Sequence, residues 1–294
     1  MKIQREGNGK TTKPIITEDV INYVCSKYSE GWSITAIKKQ LECSPELVSK
    51  ILKNSGVKIK SDREQAKKYY CNEDFFETID TEEKAYWLGF MFADGFINNK
   101  SKHKGYRVGL TLSSCDKSHI DKFNKCLDSS YPVHSYKVNK KKSSYNTKPY
   151  SRLIIASNKM ALDLIDKGCV LNKTDKLLFP STDKLPFELI PHFIRGYNDG
   201  DGCITCSKNS KNTINYSIKI TSTKEFLESI KEYYNVSHLK LQKRHKNTTN
   251  NYSLCLGGNA KVEKILDNLY LNSTIYLDRK YKKYLEFKKY RDNQ

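Results

Sequence analysis

Trp87-Leu88-Gly89-Phe90-Met91-Phe92-Ala93-Asp94-Gly95 has a second copy, Ile194-Arg195-Gly196-Tyr197-Asn198-Asp199-Gly200-Asp201-Gly202, and this pair decides how the rest of the chain is read. Both copies run Gly, four residues, Asp, Gly. A single Asp-Gly would indicate only a turn; its return after a mostly apolar lead indicates one element made twice. At helical spacing Gly89 and Ala93 share a face, as do Gly196 and Gly200, so each copy carries a stripe of small residues that a second backbone can approach. Two such helices pack stripe to stripe. The glycine after each Asp is expected to end the helix in the left-handed conformation.

That packing sets Asp94 and Asp201 side by side at the negative ends of two helix dipoles. Like charges there repel each other and the nearby carbonyls, so the arrangement makes sense mainly if a divalent cation joins them. Hard oxygen ligands point to Mg²⁺.

These residues resemble the paired signature helices of the LAGLIDADG homing endonucleases in their single-chain, two-motif form, over roughly residues 81–294. The matches are Gly89 and Gly196, the small residues Ala93 and Gly200, and Asp94 and Asp201 with their following glycines; the departures are Trp87-Leu88, Arg195 at a normally small position, and Phe92 where an acid is common. The resemblance implies a monomeric, site-specific double-strand DNA endonuclease acting at a long target. It implies Mg²⁺ held by Asp94 and Asp201, with help from the backbone carbonyls of Ala93 and Gly200. It also implies lysines that order water around the scissile phosphate: Lys173 in Leu171-Asn172-Lys173, and Lys280 rather than Arg279 in Leu277-Asp278-Arg279-Lys280. The bland reading is a duplicated core helix with two capping Asp-Gly pairs. Two other roles on the same fold are a non-cleaving DNA-binding regulator and an intron-splicing maturase, for which intron RNA would be a further partner.

The order of elements after each copy repeats. Tyr106–Thr111 matches Tyr216–Thr221 as an alternating strand, and each is followed by a helix, Lys117–Leu127 or Lys224–Tyr234. Strands are then expected at Val133–Val138 and Val236–Gln242, and at Arg152–Ala156 and Tyr252–Leu256, before helices Lys159–Asp166 and Ala260–Leu269. The two acids lie 201 minus 94, or 107, residues apart. The expected class is α+β: two pseudo-symmetric α-β-β-α-β-β-α halves, residues 81–180 and 181–294, with antiparallel saddle sheets and packed signature helices. Sheets covered by helices on one face leave the other open. On that open face fall Arg107, Thr111 and Ser113 in the first half and Asn215, Ser217, Lys219 and Thr221 in the second, with Lys140-Lys141-Lys142 and Lys243-Arg244 in the loops. Such saddles fit the major groove of double-stranded DNA.

Residues 1–61 read as a small all-α helix-turn-helix domain, and 62–80 as a linker whose Phe75, Phe76 and Ile79 dock on the next domain. Residues 1–14 are polar and basic, an arm without regular structure. Thr17-Glu18-Asp19 opens a helix to Ser29, Ser33 a second through Leu41, and Ser44-Pro45-Glu46 a third that shows Glu46, Ser49, Lys50 and Lys53 outward. Eleven Lys and Arg against six acids give this segment +5, which suits DNA.

The whole chain of 294 residues carries +19, and its surplus of basic residues is spread along the length, which favours a polyanion over a targeting signal. No apolar run reaches a membrane span of about 20 residues and the start lacks a signal-peptide core, so the expected setting is intracellular: cytoplasm, nucleoid or organelle. Nine scattered cysteines, Cys203-x-x-Cys206 among them, read as free thiols rather than a disulfide or zinc framework, and the six histidines as surface residues or phosphate contacts.

Overall fold

The computed structural model describes residues 3, 5–7, 13–59, 69–99, 105–137, 148–208, 214–244 and 249–293. It divides into two units, Met1–Lys68 and Tyr69–Gln294.

In the first unit Thr17, Ser33 and Ser44 each cap a helix by accepting a backbone N–H: α1 (Glu18–Ser29), α2 (Ile34–Leu41) and α3 (Pro45–Asn54). Their apolar faces meet in a separate small core around Val24, Ile37, Leu41, Val48 and Leu52. The α2–α3 turn passes through Glu42 in the left-handed region (φ 51°), a conformation that glycine would take without steric cost. Part of the expected irregular arm pairs instead, β1 (Arg5–Glu6) against β2 (Lys13–Pro14).

The second unit is built on α4 (Glu82–Ala93) and, after the first sheet, α7 (Ile190–Asp201). Thr81 caps α4, and Glu82 and Glu83 occupy its first turn, where the dipole favours them. The helices touch backbone to backbone. A side chain on Gly89 would strike the Phe193 carbonyl, and one on Gly196 would strike the Tyr86 carbonyl. Since 193 minus 86 and 196 minus 89 are both 107, the crossing obeys a pseudo-two-fold axis. Gly200 lies on the Ala93 methyl, which completes the small-residue seam.

Each helix runs into a four-stranded antiparallel sheet. The first comprises β3 (Gly95–Asn98), β4 (Arg107–Ser113), β5 (His134–Tyr136) and β6 (Tyr150–Ile155) in the order β3-β4-β6-β5. The second comprises β7 (Gly202–Lys208), β8 (Ile214–Ser222), β9 (Gln242–Lys243) and β10 (Tyr252–Gly257) in the order β7-β8-β10-β9. Helices α5 (Lys117–Cys126), α6 (Asn158–Asp166), α8 (Lys224–Tyr233) and α9 (Asn259–Tyr270) complete the two halves. Val108, Leu110, Leu112, Ile218 and Ile220 face a shared core that also buries Phe75, Phe76 and Ile79. The fold is therefore α+β with two like halves, as expected.

Three further local expectations are corrected, and one helix was not foreseen. Gly95 and Gly202 are not left-handed; Gly202 is extended at φ −86°. Each strand folds straight back over its helix, so a β-carbon on Gly95 would press within 2.7 Å of Met91 Cα and one on Gly202 would strike Asn198. Val236–Gln242 is mostly a turn: Asn235 is left-handed (φ 52°), Val236 N–H bonds Lys231 C=O to end α8, and only Leu239 and Leu241 alternate as in a strand. The chain also adds α10 (Asp278–Asp292), whose sequence shows little amphipathic signal. It is held by Tyr276 stacked on Tyr281 at 3.8 Å and by Lys288 and Arg291 paired with Glu263 on α9. Finally, His119 is buried and His192 half-buried, so neither is a surface residue.

Candidate active site and nucleic-acid interface

Asp94 caps the end of α4 and Asp201 is the last residue of α7, so the seam brings both acids to one place. The Asp94 carboxylate lies over Gly200, where a β-carbon would come within 3.1 Å of Oδ2. Burial and then the Asp201 charge push Asp94 up to about 6. Asp201 remains reachable by solvent, yet the surrounding protein raises it too, against the pull of Lys173, Lys280 and Arg244.

A carboxyl whose folded pKa exceeds the ordinary 3.8 adds stability below that value and loses it as pH rises through about 6. In a chelator, wild type is therefore expected to lose about 1–3 kcal/mol between pH 4 and 6 relative to Asp94→Asn. Thermal melts of both proteins across that range check it; parallel curves would mean that Asp94 is not strained.

Lys173 and Lys280 are also 107 residues apart and hold matching places. Lys173 Nζ donates to the carbonyls of Met91, Phe92 and Ala93 at 2.7, 2.6 and 2.7 Å, and Lys280 Nζ donates to Asn198 C=O at 3.2 Å and to Gly202 C=O. Each lysine thus neutralises the carbonyl end of one signature helix. All three Lys173 donors are used in this way, so its charge, not a spare N–H, reaches the acids. The Ala93 carbonyl named as a metal ligand keeps one lone pair beyond Lys173. Arg244, expected only as a loop contact, lines a cavity of about 240 Å³ beside Asp201 together with Lys173, Tyr197 and Thr221.

Arg195 is fully buried and satisfied: it donates to Ile275 C=O (2.9 Å), Leu269 C=O (2.7 Å) and Glu82 (2.5 Å), and lies over the Tyr86 ring. It pairs with a residue of the first half without disturbing the glycine seam. Asp199 has no acidic counterpart in the first copy, so the repeat does not single it out. It is buried and accepts three hydrogen bonds, from Tyr86 and Tyr270 hydroxyls and Leu277 N–H.

The strand faces away from the core carry the expected polar residues. Arg107 and Ser113 are exposed and Thr111 is partly so; Asn215 and Lys219 are exposed, and Ser217 and Thr221 are partly so. Cross-strand register adds residues that were not anticipated. Arg152 stands opposite Thr111 and donates to its hydroxyl at 2.9 Å, His134 stands opposite Arg152, and Tyr136 stacks on Tyr150 at 4.8 Å. These could have been found by pairing Arg152–Ala156 with the preceding strand. Lys243 stands opposite Tyr252, which puts it on the far side of the sheet from Gln242. Lys140, Lys141 and Lys142 lie outside the described residues. On α3, Glu46, Lys50 and Lys53 are exposed, and the half-buried Ser49 donates to Pro45 C=O at 2.9 Å. None of the nine cysteines forms a disulfide among the described residues.

The family model described as LAGLIDADG endonuclease matches residues 194–291, beginning on the second signature copy. These residues belong to the LAGLIDADG family. The first half repeats the LAGLIDADG elements and their sheet order at the 107-residue offset. Among solved structures, the LAGLIDADG homing endonuclease I-LtrWI bound to target DNA is similar at 14% identity over 75% of this chain and 92% of its own, with a TM-score of 0.46. The LAGLIDADG meganuclease I-AabMI bound to uncleaved DNA is similar at 14% over 70% and 89%, TM-score 0.47. The LAGLIDADG homing endonuclease I-GzeII in complex with a DNA target is similar at 13% over 70% and 88%, TM-score 0.46. No curated protein sequence matches the chain. Among the described residues no helix is long and apolar enough to cross a membrane, and no three His, Cys, Asp or Glu side chains gather into a metal cluster.

Proposed function

We propose that the protein is a metal-dependent, site-specific double-strand DNA endonuclease with two half-sites, acting as a monomer on a long target and spreading its own coding element. The observation that carries this reading is the pair Asp94 and Asp201, both raised in pKa, at the crossing of two LAGLIDADG helices. Two carboxylates are too few for a closed protein cage, and they suit Mg²⁺, which keeps several waters and takes further oxygens from its substrate. When bound, the cation supplies Lewis-acid stabilisation of the phosphorane and a more acidic water.

The chain's own residues prepare that place. Asp94 and Asp201 would hold the cation, with help from the carbonyls of Ala93 and Gly200. Lys173 and Lys280 keep the helix ends from adding to the acids' negative field. Lys280, with two carbonyl partners among the described residues, keeps one donor for water or a phosphate oxygen. Arg244 lines the cavity beside Asp201, where its guanidinium suits a phosphate oxygen. The saddle faces read base edges through Arg107, Thr111, Ser113, Asn215, Ser217, Lys219 and Thr221, joined by Arg152.

Incubating the protein and Mg²⁺ with DNA from its own locus tests the reading. Uninterrupted locus DNA should be cut at one position and DNA carrying the intervening element should not; equal treatment of both would overturn it.

Residues 1–61 act in this proposal as a helix-turn-helix that places Glu46, Ser49, Lys50 and Lys53 of α3 in the major groove. Deleting them is expected to weaken target binding and to flatten its salt dependence, by a slope change of about 0.9 for each lost phosphate contact. Titrations at several salt concentrations check this; unchanged affinity and slope would show that the three helices do not touch the target.

A further inference from the structure

The two halves are not equivalent behind their acids. At the position two before Asp201 stands Asp199, and at the matching position two before Asp94 stands Phe92. The Phe92 side chain packs edge to face on Phe193 at 5.1 Å and has no oxygen to accept a backbone N–H. Asp199 is fully buried, and its Oδ2 accepts Leu277 N–H at 2.7 Å and Tyr86 O–H at 2.8 Å, while Oδ1 accepts Tyr270 O–H at 2.6 Å. Tyr86 belongs to α4 of the first half. Since it donates to Asp199, His119 Nε2–H donates to Tyr86, at 2.9 Å.

Leu277 is the residue from which α10 starts. It offers no side-chain cap, and its carbonyl takes the first helical hydrogen bonds, from Lys280 N–H at 2.8 Å and Tyr281 N–H at 3.1 Å. One turn further along, the buried Lys280 ammonium reaches Asn198 C=O, next to Asp199. Asp199 therefore grips the backbone at the root of the turn that carries Lys280. Among the described residues Lys173 has no counterpart to this grip: it rises from a short 3-10 turn, Lys173–Asp175, and is located by three carbonyl bonds of its own.

We propose that Asp199 is a positioning residue for Lys280, and that through it the protein fixes one of its two strand-cleaving centres independently of the other. The inference rests on the endonuclease reading above. Loss of the grip lets the root of α10 drift, and an ammonium displaced by about an ångström loses much of its effect on a reacting phosphate. The damage falls on one strand, because Lys173 is fastened by other means.

The test uses the full chain with Mg²⁺ and a duplex of the uninterrupted locus, each strand carrying its own 5′ label, under single-turnover conditions. Asp199→Leu removes the acceptor and should slow one strand at least about tenfold more than the other, so that nicked DNA accumulates. The slow strand should be the one slowed by Lys280→Met, not the one slowed by Lys173→Met. Asp199→Asn keeps an oxygen for Leu277 N–H while both tyrosines can rotate to suit the amide, and it should return the two rates to within about threefold of the wild-type ratio. Where Asp199→Leu does not fold, Leu277→Pro attacks the same bond from its other end: the backbone there, at φ −81°, accepts proline, and the N–H is gone. It should slow the same strand.

A merely structural role would lower both strands by one factor, through a smaller active fraction. That result, or slowing of the Lys173 strand, or no rescue by asparagine, would overturn the inference. Failure of wild type to cut either strand would instead remove the endonuclease reading itself.

Discussion

Asp94→Asn and Asp201→Asn are each expected to lower double-strand cleavage on the order of a thousandfold or more, while target binding stays within a few-fold. The acids lie at the ends of α4 and α7, and in the proposed reading they hold metal rather than read base edges. Gel-resolved cleavage and a binding titration on the same DNA separate the two effects. Equal loss of both would mean that the acids serve the interface and not the chemistry. The same variants report on the cation. Binding to the folded state alone adds RT ln(1 + [L]/Kd), about 2.7 kcal/mol at a hundredfold excess over Kd, so the wild-type melting temperature should climb through a Mg²⁺ series at constant ionic strength. Asp94→Asn removes the buried charge, and with it both the burial cost and the Asp201 repulsion that raise its pKa, and spoils the site. It should be at least as stable as chelated wild type and respond little to Mg²⁺. A variant that is clearly less stable, or equally responsive to metal, would mean that the two acids do not share a cation.

Gly196→Val should cost more than about 4 kcal/mol, enough to lower the melting temperature of a unit this size by roughly 8–16 °C or prevent folding. Even the first added carbon meets the Tyr86 carbonyl and comes within 2.9 Å of Phe90 N, and both are backbone of a helix buried along most of its length. Nothing there can rotate away, so the helices must separate and open the central core. Gly257→Ala is the control: its β-carbon would meet nothing within 4 Å, and it should change stability by less than about 1 kcal/mol. Urea or thermal melts compare the two. A mild effect at Gly196 would show that the helices do not cross at the glycines.

The repeat Gly89 to Gly95 and Gly196 to Gly202 was enough, by itself, to foretell two like halves, the glycine seam, and Asp94 beside Asp201. Local rules carry those inferences: helical period places the small residues on one face, and chain order repeats at one offset. The starts of α1, α2 and α3 were legible for the same reason, since a capping Ser or Thr acts within three residues of itself.

Other features depended on residues far away in sequence. Gly95 and Gly202 looked like left-handed caps, yet they are small because a strand folds back over the preceding helix turn. Arg195 looked like a misfit in a close-packed seam until Glu82, Leu269 and Ile275 supplied its partners. Lys243, expected in a loop, stands on a two-residue strand opposite Tyr252, because pairing with a distant strand, and not its basic neighbours, fixes its place. Asp199 took its role from Tyr86, 113 residues earlier, and from Leu277, 78 residues later. A period in the sequence says which face a residue is on, but a buried charge is tolerable only where donors converge on it, and those donors come together only when the chain has folded.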